Sequence, residues 1–78
     1  MHRHVRPIPV SRLASLTTPR LLAYRNRLLS LEESVELSDV QDVAELADLD
    51  PDLLYFKSDL RWISLYDAVK LELARRQT

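Results

Sequence analysis

The stretch DPDLLYFKSDLRWISLYDAVKLEL, residues 50–73, holds four of the five aromatic residues, Tyr55, Phe56, Trp62 and Tyr66, and the longest helical pattern in the chain. Asp50-Pro51 is a helix-start signal, because aspartate accepts orphan N–H groups of a first turn and proline at the first helical position forfeits no bond. The spacing predicts a short helix over residues 51–56. Ser58 or Asp59 then caps a longer helix running to about Arg76. Wound as a helix, Leu65, Val69, Trp62, Leu73 and Tyr66 share one arc, the face that packing buries. Leu60, Ile63, Leu71 and Ala74 form a second stripe, with Asp67 inside it and Lys70 between the two. Arg61, Ser64, Ala68 and Glu72 remain as the wet face. Two apolar stripes need two surfaces. Either the first helix and the shorter helices cover both, or the second stripe (Leu60, Ile63, Leu71) is a contact surface, since exposed apolar patches mark interfaces.

Working outward, 78 residues make one domain, small enough for association to complete it. No run approaches the roughly 20 apolar residues of a membrane span, and the first fifteen residues do not build the apolar segment of a signal peptide. A soluble, cytoplasmic protein is the expectation. Cysteine is absent, which rules out disulfides and thiolate metal sites and fits a reducing compartment. Glycine is absent too, against a usual share of about 7%. That removes Gly-rich phosphate loops and glycine hairpin turns, and with them most nucleotide enzymes and β architectures.

The net charge of −1 conceals segregation. Residues 1–27 carry six arginines and no acid, residues 28–59 carry ten acids against Lys57, and residues 60–78 carry four bases against Asp67 and Glu72. One reading lays the basic third on the acidic middle, through pairs individually worth about 0–1 kcal/mol. The other makes the first segment an anion-seeking arm and the middle an acidic face for a basic partner, with Asp39, Asp42 and Glu45 as its residues.

Residues 1–12 read as a basic, proline-containing arm, because Pro7 and Pro9 push Arg6 and Ile8 toward extended conformations. Ile8 and Val10 are its expected anchors to the core. Arg3, Arg6 and Arg12 are the candidates for nucleic-acid contact. His2 and His4, two imidazoles without carboxylate or thiolate partners, are poor metal ligands, and no metal or cofactor is expected. Residues 13–78 read as a single helical domain. A helical turn near residues 11–16 leads to the first main helix, whose cap is Thr17, with Leu16 and Leu21 as a hydrophobic staple, or Thr18, with Pro19 at the first position. It runs to about Glu33, with Leu21, Tyr24, Leu28 and Leu31 as its principal inward face and Leu22 and Leu29 widening that face to about half the circumference. Ser38 and Gln41 have capping-box spacing for a short helix through about Ala47.

DVAELADLDPDLLY, residues 42–55, has the outline of a helix-turn-helix and resembles the DNA-reading unit of tetracycline-repressor-like regulators. Asp48 stands where that unit has its turn glycine, and Asp50 and Asp52 would aim carboxylates at DNA phosphates, whose contacts normally supply much of the affinity. A second resemblance covers more of the chain. TTPRLLAY (17–24), LEES (31–34) and DPDLLYFKSDLRWISLYDAVK (50–70) look like a group of small bacterial proteins of unassigned function. It implies a bacterial or phage origin and a compact helical fold, and carries over no catalytic or binding residue.

An enzyme needs a nucleophile or base held in a pocket by a second group. Here both histidines lie in the tail and the serines at caps or on exposed faces, so no catalysis is expected. Tyr55, Phe56, Lys57 and Trp62 could stack nucleobases, but the surrounding acids favour a core role. The expectation is therefore an all-α fold, a small bundle of three to four helices with the C-terminal helix central. Its expected role is a non-catalytic small bacterial or phage protein acting by protein–protein interaction, of a regulatory, inhibitor or antitoxin-like kind, with a protein partner or a second copy. The alternative is a small helix-turn-helix DNA-binding regulator with a basic arm.

Overall fold

The computed structural model describes residues 3–34 and 49–77. The fold is helical: α1 is Val10–Leu13, α2 is Thr18–Leu29 and α3 is Leu60–Arg76. Among the described residues there is no strand, only two isolated backbone pairings. The predicted helix over residues 38–47 lies outside the described residues.

Helix α2 starts as its sequence demands. The Thr17 hydroxyl accepts the Arg20 N–H, Pro19 sits in the first turn, and Leu16 packs against the cluster that contains Leu21. Its end comes earlier than expected, at Leu29 rather than Glu33. The carbonyls of Glu32 and Glu33 accept the N–H groups of Lys57 and Ser58 at 2.8 and 2.9 Å, which draws this segment away from the helix. The short α1–α2 connection is made without glycine, and no described residue has a positive φ. Ser15 donates its hydroxyl to the Arg12 carbonyl and Ser30 to that of Arg27, each at 2.7–2.8 Å, so serine satisfies carbonyls that a helix end leaves orphaned.

The core gathers Leu13 from α1, Leu21, Tyr24 and Leu28 from α2, Leu31 just beyond it, and Leu65 and Val69 from α3. Val5 and Leu54 complete it from the extended segments. Each buried leucine is worth about 1.5–3 kcal/mol over exposure, against about 0–1 kcal/mol for an exposed ion pair, so this cluster is the main stabilising feature among the described residues. The principal inward faces expected for α2 and α3 are the buried ones, with Trp62, Tyr66 and Leu73 partly covered at the margin, whereas Leu29, expected to widen the α2 face, is 40% exposed because α2 ends there.

Two sequence expectations are corrected. Residues 51–56 are not a helix. Asp50 does cap a turn, its carboxylate accepting the Asp52 N–H at 2.9 Å and its carbonyl the Leu53 N–H. The backbone then straightens because Val5 and Leu54 exchange both N–H···O bonds at 2.9 Å and Phe56 pairs beside Glu32. Non-local pairing has overridden a local start signal. The second correction concerns the arm. Its anchors are Val5, fully buried, and Ile8, partly so, while Val10 opens α1 and is 63% exposed.

Candidate functional site

Helix α3 is capped by Asp59, whose carboxylate accepts the Arg61 N–H at 2.9 Å. Arg61 is more than a residue of a wet face. Its guanidinium pairs with Asp59 at 2.8 Å and donates to the carbonyls of Pro51 and Leu53, tying the 50–53 turn to the start of α3. That hydrogen bond holds the Asp59 carboxyl below the usual carboxylate range and pushes the guanidinium up.

At the other end, Arg76 reaches the α1–α2 connection. It donates to the carbonyls of Leu13, Ala14 and Leu16 and to the Thr18 hydroxyl, and pairs with Glu72. Glu72 is 11% exposed, and its carboxyl is held down to about 2 by the hydrogen bonds of Arg75 first and Arg76 second. On the flank, Trp62 donates its indole N–H to the Leu28 carbonyl at 2.9 Å. Trp62 stacks on Tyr66 with ring centroids 4.8 Å apart, and Lys70 stands over the Tyr66 ring at 5.1 Å while pairing with Asp67 at 3.3 Å.

Helix α3 is thus fixed in rotation and along its axis, which fixes what its far side presents. Leu60 is 80% exposed, Ile63 45% and Leu71 72%. Leu71 forms a ridge between two shallow hollows. One, of about 210 Å³, is lined by Val10, Leu13, Ala68, Leu71, Glu72 and Arg75, and the other, of about 460 Å³, by Asp67, Lys70, Leu71 and Ala74. The three apolar residues singled out in the sequence therefore come together on one open helix face. The acidic candidates Asp39, Asp42 and Glu45 lie outside the described residues. Arg3, Arg6 and Arg12 are all exposed, with Arg3 donating to the Ser30 carbonyl at 3.5 Å. The first-turn helix that the helix-turn-helix outline requires after Asp50 is absent, and residues 42–48 of that outline are not described.

No protein-family model, curated protein or solved structure matches the chain. Among the described residues no group of three or more histidines, cysteines or acids is arranged to hold a metal, and no helix is long and apolar enough to cross a membrane. The roles of Arg61 and Arg76 were not legible beforehand. Arg61 read as part of a wet face and Arg76 only as the end of the helix, and it is the placement of carbonyls from other segments that gives them partners.

Proposed function

We propose that this chain is a non-catalytic interaction protein whose contact surface is the outer stripe of α3, and that the occupant of that stripe is a second copy of the chain. The observation that supports it is the exposure of Leu60, Ile63 and Leu71 on a helix anchored at both ends.

The self-contact follows from the spacing. Positions 60, 63, 67, 71 and 74 are separated by three, four, four and three residues, a sequence that reads the same in both directions. Two antiparallel copies related by a two-fold axis through Asp67 set Leu60 against Ala74 and Ile63 against Leu71. An isologous interface needs this kind of self-complementarity. The hollows beside Leu71 would receive Ile63 of the second copy as knobs enter holes. Lys70 of each copy would stand one helical turn from Asp67 of the other, giving the centre a balanced charge cluster. A seam of two heptads with charge at its middle is short of the three to four heptads of a free-standing coiled coil, so the dimer belongs to the weak class. Within this reading α1, α2 and α3 form a small bundle with α3 central. A cytoplasmic, bacterial or phage setting and a regulatory, inhibitor or antitoxin-like task are proposed on the cysteine-free composition and the sequence resemblance alone.

Sedimentation across a concentration series tests the reading. Wild type is expected to shift reversibly from monomer to dimer, and Leu60→Glu and Leu71→Glu to remain monomeric with unchanged helicity. A wild type that stays monomeric at millimolar concentration, or variants that unfold, would sink it. Capture of a different protein by the same stripe would replace the second copy as its occupant.

A further inference from the structure

A second surface, independent of α3's stripe, lies between the N-terminal segment and α2. Residues 5–8 are held over α2 by the Val5–Leu54 pairing and by Tyr24, which donates its hydroxyl to the Arg6 carbonyl at 2.7 Å. Burial of that ring pushes the phenol's pKa up, so the hydroxyl stays protonated and committed to this bond. A hollow of about 370 Å³ remains, lined by Arg6, Ile8, Leu16, Arg20, Ala23, Tyr24 and Arg27. Its size falls within the range of small-molecule sites, roughly 300–1,000 Å³.

Two features of the lining matter. Arg20, Ala23 and Arg27 follow one face of α2, and the small Ala23 between two arginines leaves the space a longer side chain would fill. Ile8, Leu16 and Tyr24 give the lining apolar surface, whereas Arg6, Arg20 and Arg27 bring three positive charges to the same hollow. Among the described residues none of the three makes an ion pair or a side-chain hydrogen bond, although Glu33, Asp59, Asp67 and Glu72 each hold a cation elsewhere. Three like charges around one hollow repel one another, and an oxyanion relieves that repulsion while offering acceptors for the planar donor forks of arginine.

We propose that this hollow binds a small organic oxyanion, a phosphate monoester or carboxylate carrying a compact apolar group, with Arg6, Arg20 and Arg27 on the anion and Ile8, Leu16, Ala23 and Tyr24 around the apolar body. The three arginines supply affinity for the headgroup. The apolar walls select against the bare inorganic ion, which would leave them wet. The recognition chemistry is shared by the two headgroups, and separate probes distinguish them.

The full chain is titrated with phenyl phosphate, phenylacetate and inorganic phosphate, and the backbone amide resonances are followed by NMR. Saturable shifts centred on Ile8, Ala23 and Tyr24 are expected with at least one aryl anion, and weaker ones with inorganic phosphate. Arg20→Gln and Arg27→Gln should each weaken binding about tenfold, with a charge-assisted hydrogen bond removed in each case. Ala23→Leu, which keeps every charge and suits an exposed helix position, should abolish it. Melting curves establish that each variant remains folded. Shifts that fail to saturate, that spread evenly over all the exposed arginines, or that survive Ala23→Leu would overturn the proposal. So would resonances that move with duplex DNA but with neither aryl anion, which would make the surface a nucleic-acid contact.

Discussion

The two faces of α3 are similar in residue type and opposite in fate. One carries Leu65 and Val69 into the core with Trp62, Tyr66 and Leu73 at its margin, while the other leaves Leu60, Ile63 and Leu71 open. Hydrophobicity alone does not separate them. What does is the geometry of the partners: Leu13 of α1 and Leu21, Tyr24 and Leu28 of α2 gather around Leu65 and Val69, and Trp62 fixes the rotation by reaching the Leu28 carbonyl. An amphipathic helix is normally read as having one apolar stripe facing the core. Here the second stripe is apolar surface that stays exposed beside the core.

The largest way to break the contrast is Trp62→Ala. The ring is partly buried, so the loss should sit toward the lower end of the roughly 3–5 kcal/mol of large aromatic truncations, read by urea denaturation. Trp62→Phe, which keeps most of the apolar area but not the indole donor, should cost about 1 kcal/mol. Next in size is Arg76→Met, which leaves the carbonyls of Leu13, Ala14 and Leu16 without their shared donor. A loss of about 1–3 kcal/mol is expected, and a change below about 0.5 kcal/mol would show that water replaces the clamp.

A pH series sharpens the same end of the helix. Glu72 titrates at about 2 in the folded chain against an ordinary value of 4.5. Its contribution is therefore fully present above about pH 4.5 and is lost as pH falls toward 2. The melting temperature of wild type should drop across that window more than that of Glu72→Gln, and parallel curves would remove the pair from the account of stability.

The smallest effect on stability is expected from the outer stripe. Leu60→Glu and Leu71→Glu should change folding free energy by no more than about 0.5 kcal/mol, as substitutions of exposed residues do, while changing association. Asp67→Leu should sharpen the contrast in the other direction. It replaces the charge at the two-fold axis with a seam residue and should tighten self-association about tenfold or more, a step of about 1.4 kcal/mol. If sedimentation shows no change with Asp67→Leu, the antiparallel register is wrong even if the stripe is a contact.

Legibility followed the range of the interactions. The staple of Leu16 and Leu21, the Asp59 cap, and the inward rows of α2 and α3 could be read because caps and periodicity depend on residues within about one turn. The exposed character of Leu60, Ile63 and Leu71 was half legible: their shared stripe was visible, but whether the rest of the chain covers it depends on how many elements pack and where. Residues 51–56 misled for the same reason. Asp50-Pro51 is a genuine turn signal, but the direction taken after the turn is set by Val5, nearly fifty residues away.

By itself, then, the sequence determined a helical chain with glycine-free turns, the inward faces of its two main helices and the segregation of its charge. These are consequences of local backbone preference and of side-chain periodicity. Only the tertiary structure decided that Val5 rather than Val10 anchors the first segment, that Arg61 and Arg76 tie α3 at its two ends, and that Arg6 meets Arg20 and Arg27 around one hollow. Each of those depends on groups distant along the chain arriving within a few ångströms, and that arrival is determined by how the core closes rather than by any residue's own preference.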